Sequence, residues 1–399
     1  MDSDFIGSTL NIFIVVERIF RNLTARELNT CSRVCTLWRD QAKREKERRK
    51  YLKWNIFVYD HASSVGSDIR SWWQSVTNFL LESPIQPKCL LIFCSHSLWT
   101  MLTEAELQRK ETKEAKISAA ELFGPYLPND CVFNVNLTNG IVGTDANMQT
   151  LEIDREENGK ALSLIMFGET SGVEFVPFTL THEDCDLLDL YQPDDDHSIP
   201  ECMQPLLNKK IKMINMYLPK NDKDLEFDFC IFHLFEWPLV AGGYVIEQHV
   251  RDSHGNCFSS AIDESCVVSG MAICGANVKV AYVMIESQRK DIAEVERTVQ
   301  ALTKYRFPLH RSFGLMYSCD RRGSREYRKH NVESSIFRQY FPTTPLLGFF
   351  GKEEDESFPP PVLVGDEEET GKQWEGYKMK DPPTFVLSFA TIICLVSLP

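Results

Sequence analysis

The sequence from Val15 to Arg39 reads VVERIFRNLTARELNTCSRVCTLWR. It contains two apolar patterns at helical spacing. The first pattern comprises Val15, Val16, Ile19, Phe20 and Leu23, and the second comprises Leu28, Cys31, Val34, Cys35 and Trp38. Between them, Thr24 and Glu27 have the spacing of a capping box, which predicts the start of a helix. A helical unit this short cannot bury both apolar faces by itself, so we expect the rest of the chain or a partner protein to cover it.

The end of this stretch resembles the F-box, the adaptor-binding motif of cullin–RING ubiquitin ligases. The resemblance rests on Val34–Arg39, VCTLWR, and on the amphipathic pattern that precedes the capping box. It implies that the unit binds a Skp-family adaptor and, through it, the cullin and RING subunits. The adaptor-binding residues that it implies are Val16, Ile19, Phe20, Leu23, Leu28, Cys31, Val34, Cys35 and Trp38. The alternative interpretation is an ordinary N-terminal helical hairpin packed on the body of the protein.

The length and the charge of the chain limit its organisation and its partners. A chain of 399 residues is too long for one compact core, so we expect two or three domains. The formal net charge is −14, but residues 1–50 carry 11 basic and 7 acidic side chains, which gives +4 there and −18 over the remainder. An acidic body repels nucleic acid and anionic membranes and weakly favours basic protein partners. We therefore predict no nucleic-acid partner and no membrane partner.

The cysteines and the chain ends indicate a reducing compartment. There are 13 cysteines, an odd number, with no Cys-x-x-Cys pair, and no secretory signal pattern follows Met1. We predict reduced thiols, a cytoplasmic or nuclear location, and no metal or other cofactor. The apolar run from Phe385 to Leu398 is about fourteen residues long, short of the roughly twenty needed to span a bilayer, and is predicted to be a buried strand.

Beyond residue 50, strand and helix patterns alternate, which predicts an α+β (α/β-like) body of mixed sheets covered by helices. We expect a helix over Lys209–Met216 and a polar loop over 183–204. Short apolar strings that contain glycine recur along the chain, which indicates related units. The string at Leu239–Gly243 echoes Ile141–Gly143, the string at Val267–Gly275 echoes Leu164–Gly168, and a further echo lies at Leu346–Gly351.

The C-terminal part carries a second resemblance. A strand and turn at Phe313–Gly323, a helix at Val332–Tyr340 and the string FPTTPLLGFFG at Phe341–Gly351 resemble the C-terminal half of the FIST domain, a sensory α/β domain. We therefore predict an F-box at 1–50, a FIST N-terminal-like part at 51–225 and a FIST C-terminal-like part at 226–399. Together the two resemblances imply a non-catalytic substrate receptor of a ubiquitin ligase, which recruits a protein substrate for degradation.

The turn Cys319-Asp320-Arg321-Arg322-Gly323 contains the candidate site of the body. Neighbouring cations favour the thiolate form of Cys319, and Arg321 or Arg322 could clamp a carboxylate with two hydrogen bonds. An amino-acid-like ligand or an acidic or C-terminal peptide would suit such a site. The alternatives are a tight loop in which arginine caps carbonyl groups, a small-ligand sensory protein, and an enzyme with Cys319 as nucleophile, for which no paired base is visible.

Overall fold

The computed structural model gives the positions of most of the chain. It describes residues 12–49, 52–59, 68–110, 116–154, 159–189, 199–219, 235, 238–260, 266–286, 291–351 and 390–399. The domain boundary predicted at residues 225 and 226 lies outside these described residues.

Ten α-helices are found in the described residues. They are α1 (12–20), α2 (Ala25–Cys31), α3 (Thr36–Arg48), α4 (Ile69–Leu81), α5 (His96–Lys110), α6 (Ala119–Phe123), α7 (His182–Asp189), α8 (Ile292–Gln300), α9 (Ser324–Tyr327) and α10 (Val332–Tyr340). Helix α10 has the bounds predicted from the sequence, Val332–Tyr340. None of the helices in the described part of the chain is long and apolar enough to cross a membrane.

The described strands form three sheets. In chain order they are β1 (Leu52–Tyr59), β2 (Cys89–Ser95), β3 (Val132–Thr138), β4 (Gly140–Thr144), β5 (Thr150–Ile153), β6 (Lys160–Phe167), β7 (Glu174–Thr181), β8 (Ile211–Pro219), β9 (Leu239–Val245), β10 (Glu247–Arg251), β11 (Cys257–Ser259), β12 (Cys266–Cys274), β13 (Lys279–Ile285), β14 (Ser312–Cys319), β15 (Leu346–Gly351) and β16 (Thr391–Ser397). The first sheet has the order β1-β6-β2-β3-β10-β11, the second β7-β12-β8-β9, and the third β13-β16-β14-β15-β4-β5. A helical N-terminal unit followed by mixed sheets and helices confirms the predicted fold class.

The three sheets share one four-stranded repeat. In β1-β6-β2-β3, β7-β12-β8-β9 and β13-β16-β14-β15, the first two neighbouring pairs are antiparallel and the third pair is parallel. The predicted similarity of β12 to β6 agrees with the structure, because both are the second strand of their repeat. The similarity of β15 to β9 agrees as well, because both are the fourth strand. The echo between β9 and β4 is wrong, because β4 belongs to a hairpin outside the repeat. The described part of the body therefore contains three related four-stranded units.

Two hairpins cross between the repeats. The hairpin β4-β5 follows β3 along the chain but pairs with β15 in the third sheet. The hairpin β10-β11 follows β9 but pairs with β3 in the first sheet. The first and third sheets thus each contain a hairpin from a distant part of the chain. The predicted division of the body near residue 225 stays a prediction. Strands from both sides of it occur in each of the three sheets.

Aromatic rings fill the centre of the body. Phe93, Tyr217 and Tyr317 lie at equivalent positions of β2, β8 and β14, and their ring centroids are 6.3, 6.4 and 6.3 Å apart. Phe349 packs against all three rings at 5.3–6.1 Å. The Tyr317 hydroxyl donates to the Asn215 side-chain oxygen at 3.0 Å. The three sheets therefore meet at a packed core, and helices cover their outer faces.

Two local predictions are wrong. The predicted helix over Lys209–Met216 is strand β8, because residues on both of its faces are buried in apolar surroundings and the strand therefore lacks the polar alternation of a half-exposed one. The predicted loop over 183–204 begins with α7, which Thr181 and Asp184 cap reciprocally, and it also contains a 3₁₀ turn at Glu201–Leu206. Residues 190–198 lie outside the described part of the chain. The C-terminal apolar run is confirmed as a buried strand over Thr391–Ser397, because β16 lies between β13 and β14; its residues 385–389 lie outside the described part of the chain.

Candidate functional site

The N-terminal unit consists of α1, α2 and α3. The predicted capping box at the start of α2 is confirmed: the Glu27 amide donates to Thr24 Oγ1 at 3.2 Å, and the Thr24 amide donates to Glu27 Oε2 at 2.7 Å. The second apolar pattern is divided between two helices, because the chain turns at residues 32–35 before α3 begins. A single continuous helix over this pattern is therefore wrong. Of its residues, Leu28, Cys31 and Trp38 line one small core, whereas Val34 and Cys35 are exposed.

Three of the nine residues predicted to bind an adaptor lie inside this small core. Val16, Phe20 and Leu28 are 7%, 1% and 0% exposed, and they pack together with Ala42. Trp38 is half-buried and meets the Phe20 ring edge-on, with 5.5 Å between the ring centroids. These side chains stabilise the unit from within. Leu23 and Cys31 are also half-buried against the same core.

The remaining predicted residues, Ile19, Val34 and Cys35, are exposed. Ile19 is 52% exposed and Val34 is 63% exposed. Three further apolar side chains are also exposed on α1: Ile12, Ile14 and Val15. We refer to Ile12, Val15 and Ile19 as the apolar stripe of α1, since they recur at steps of three and four residues. Ile12, Ile14 and Val15 were not among the nine predicted residues. The sequence does indicate them, because α1 has more apolar residues than one buried face requires.

Contacts with the body hold this unit in place. The Ala25 amide at the start of α2 donates to the Ser83 carbonyl at 2.9 Å. Asn29 Nδ2 donates to Gln86 Oε1 at 3.2 Å, so a second residue of α2 reaches the same body loop. Arg26 Nη2 donates to the Tyr126 carbonyl at 2.7 Å. The body thus contacts α2, while the apolar stripe of α1 stays exposed.

The second candidate site, the turn after β14, is occupied by internal contacts. Arg322 is 2% exposed, and its Nε and Nη2 donate to Glu333 Oε1 on α10 at 2.8 and 2.6 Å. The Tyr327 hydroxyl donates to the same carboxylate oxygen at 2.7 Å, and Arg322 Nη1 donates to the Glu286 carbonyl at 3.3 Å. The predicted clamp of a carboxylate by arginine therefore exists, but the carboxylate belongs to this chain. Cys319 and Arg321 are half-buried in the same turn.

Two carboxylates of the hairpin β4-β5 extend this network. Asp154 Oδ2 accepts the Ser324 amide at 2.9 Å, at the start of α9. Glu152 Oε1 accepts the Ser334 amide at 2.6 Å, in the first turn of α10. Helix N-termini have amides without partners inside the helix, and negative charge is favourable there. The acids therefore tie the hairpin to two helices of the third repeat. Among the described residues, no group of three or more His, Cys, Asp and Glu side chains could hold a metal ion.

Glu152 gives this network a pH dependence. Burial, and after it the negative charge of Glu333, raise the pKa of Glu152 from 4.5 to about 7. The pKa of Glu152 is therefore higher in the folded protein than in the unfolded chain. The stabilisation that protonated Glu152 contributes is fully present below about pH 4.5 and is lost as the pH rises through 7. At about 1.4 kcal/mol per pKa unit, the loss amounts to about 3 kcal/mol.

The Glu152→Gln variant is accordingly expected to remove this loss, since glutamine keeps an acceptor for the Ser334 amide and carries no charge. Urea unfolding of both proteins at pH 5 and pH 8 measures it: the variant should gain about 3 kcal/mol relative to the wild type between the two values. The exposed Glu82→Gln is the matched control and should give no such gain. Identical pH dependence in the wild type and Glu152→Gln would contradict the assignment.

Comparison with known proteins identifies the class of the N-terminal unit. Residues 14–50 match the family model of the F-box domain. The chain thus carries an F-box domain, as the VCTLWR stretch predicted, and the matched range contains all nine residues predicted to bind an adaptor.

Similarity to full-length proteins extends beyond this domain. The chain is 26% identical over 356 residues to F-box only protein 22 of Homo sapiens and, to the same extent, to F-box only protein 22 of Pongo abelii; each alignment covers 86% of this chain and 84% of the relative. Among solved structures, the cyanuic acid hydrolase from A. caulinodans aligns over 87% of this chain and 99% of its own, with 6% identity and a TM-score of 0.32. A structural similarity this weak does not indicate a shared fold.

Proposed function

We propose that this chain is the substrate-recognition subunit of a Skp–cullin–F-box ubiquitin ligase. In this proposal the F-box domain binds a Skp-family adaptor, and through it the cullin and RING subunits, while the FIST-like body recruits a protein substrate for ubiquitination and proteasomal degradation. Transfer is promoted because substrate and charged ubiquitin-conjugating enzyme are held close together, so the chain itself supplies no catalytic residue.

The exposed apolar stripe of α1 is the observation that carries the proposal. Ile12, Val15 and Ile19 are each more than half exposed, although they lie in a domain that already has its own core. Covering the exposed half of one such side chain is worth about 1 kcal/mol, roughly half of the value for full burial. The body contacts α2 and leaves the stripe open, which is the arrangement that an adaptor requires.

The cysteines give further support to the proposed location. None of the twelve cysteines in the described part of the chain is paired in a disulfide, which suits the proposed cytoplasmic or nuclear location. The alternative of an amino-acid-like ligand at the Cys319 turn has less support, because the Arg322 guanidinium already binds Glu333.

The Ile19→Asp variant tests the proposal. We expect it to bind a purified Skp-family adaptor about 10- to 100-fold more weakly than the wild type, because the adaptor would have to cover a carboxylate in place of an apolar side chain. Isothermal titration calorimetry with the full-length protein measures the loss. The melting temperature should stay near that of the wild type, since Ile19 lies outside the core.

Ile292→Asp on α8 is the matched control. Ile292 is 44% exposed, close to the 52% of Ile19, but it lies on the body. The control should bind the adaptor as the wild type does. Equal affinity for the Ile19 and Ile292 variants, or no binding by the wild type, would contradict the proposal. Leu28 is unsuitable for this purpose because it is fully buried, and a charge there would unfold the domain.

A further inference from the structure

One buried arginine joins the F-box domain to the body. Arg49 follows the last residue of α3 and is 7% exposed. A guanidinium has five N–H donors, and all five of them are used here. The acceptors are Glu45 Oε1 at 2.7 Å from Nε, the Leu23 and Pro84 carbonyls at 2.5 and 3.1 Å from Nη1, and the Phe20 and Arg21 carbonyls at 2.8 Å each from Nη2.

These acceptors belong to three parts of the molecule. Phe20 ends α1, and Arg21 and Leu23 follow it directly. The last carbonyls of a helix have no partner within it, and a cation is favourable there. Glu45 lies on α3. Pro84 belongs to the body, in the loop between α4 and β2 that also accepts the Ala25 amide at Ser83. A single side chain therefore connects the helix that carries the apolar stripe with the loop that supports the domain.

We propose that Arg49 is a positioning residue that couples the adaptor-binding face to the body. This inference rests on the proposed function: a partner seated on α1 would restrain the end of that helix, and Arg49 would pass the restraint to the body loop at 83–86. Because coupling between two sites is reciprocal, whatever stabilises the loop also favours the arrangement of α1 that the adaptor binds. The substrate-binding body is thereby held in one orientation relative to the adaptor.

Arginine is required at this position by its geometry. Lysine has three donors on a single nitrogen. It therefore cannot reach acceptors as widely spaced as those that the three nitrogens of the planar guanidinium bind. In Arg49→Lys at least two of the buried acceptors lose their partner. Arg48, its neighbour in sequence, is the matched control, because its side chain is 56% exposed and its ion pairs are with Glu17 and Glu45 of the same domain.

Hydrogen–deuterium exchange of the full chain tests the coupling, first without adaptor. In Arg49→Lys, peptides that cover residues 20–28 and 82–88 should exchange about tenfold faster than in the wild type, while peptides from β14 and β16 should not change. Arg48→Lys should behave as the wild type. Unchanged exchange of both peptides in Arg49→Lys would overturn the proposal.

The second arm adds a saturating Skp-family adaptor. Exchange of the 82–88 peptide should slow in the wild type and in Arg48→Lys, but not in Arg49→Lys; equal slowing in all three would overturn the coupling. An adaptor that fails to bind the wild type would contradict the proposed function, and the adaptor-free comparison would still decide whether Arg49 joins the two parts. If Arg49→Lys does not fold, Glu45→Gln weakens one of the five bonds and should accelerate the same two peptides to a smaller extent.

Discussion

The Gly348→Ala variant is expected to lose about 3–5 kcal/mol of the free energy of unfolding. Gly348 lies in β15 opposite Met316 of the parallel strand β14, with φ at +154°. A Cβ atom there would lie 1.8 Å from the Met316 carbonyl oxygen. That oxygen is a backbone atom of a central strand, so a side-chain rotation cannot relieve the clash, and the two strands would have to separate.

Gly242 allows the same prediction to be tested at a second position of the protein. It lies opposite Met216 in the second repeat, with φ at +158°, and a Cβ atom would lie 1.7 Å from the Met216 carbonyl oxygen. Gly242→Ala should therefore lose a similar free energy. The neighbouring Gly243→Ala is the control, because its Cβ atom would meet only a Phe349 side-chain carbon at 3.4 Å. Urea unfolding measures all three, and equal stability of the Gly242 and Gly243 variants would contradict the repeat geometry.

Replacement of Arg322 by methionine is expected to cost about 3–5 kcal/mol, because it leaves the Glu333 carboxylate buried without its cation. The Arg322 and Glu333 side chains are 2% and 0% exposed. Breaking such a pair from one side is far more harmful than removing both charges. The double variant Arg322→Met, Glu333→Gln should therefore recover a large part of the loss.

Arg325→Met is the control for this measurement, since it removes an exposed arginine from α9, which follows the turn, and should cost less than about 1 kcal/mol. Thermal and urea unfolding distinguish the three variants. If Arg322→Met were as stable as Arg325→Met, the internal ion pair would not be the main role of Arg322, and a ligand at the Cys319 turn would regain support.

The candidate site of the F-box domain could be predicted in outline from local patterns. The capping box at Thr24 and Glu27 and the stretch ending in Trp38 and Arg39 were visible without any tertiary information, because they depend on residues three to seven positions apart. Spacing could not tell Phe20, which is buried, from Ile19, which is exposed. Both lie on α1, and only the packing of α3 against that helix separates them.

The site of the body was less predictable. The turn at Cys319–Gly323 was visible as a strand end followed by polar residues. Its electrostatic partners were not, because Glu333 comes from α10, beyond the next helix, and Glu152 and Asp154 come from a hairpin about 170 residues earlier in the chain. A similarly long distance in sequence hid the pairing of β4 with β15, which joins segments that have no local relation.

Short-range patterns in the chain are enough to specify the capped helix of the F-box domain, helix α10 and the buried C-terminal strand. They do not specify which apolar side chains stay exposed on α1, which carboxylate Arg322 binds, or how two hairpins cross between sheets. Periodicity reports which face of an element is apolar, whereas exposure and charge pairing depend on which distant segment packs against that face.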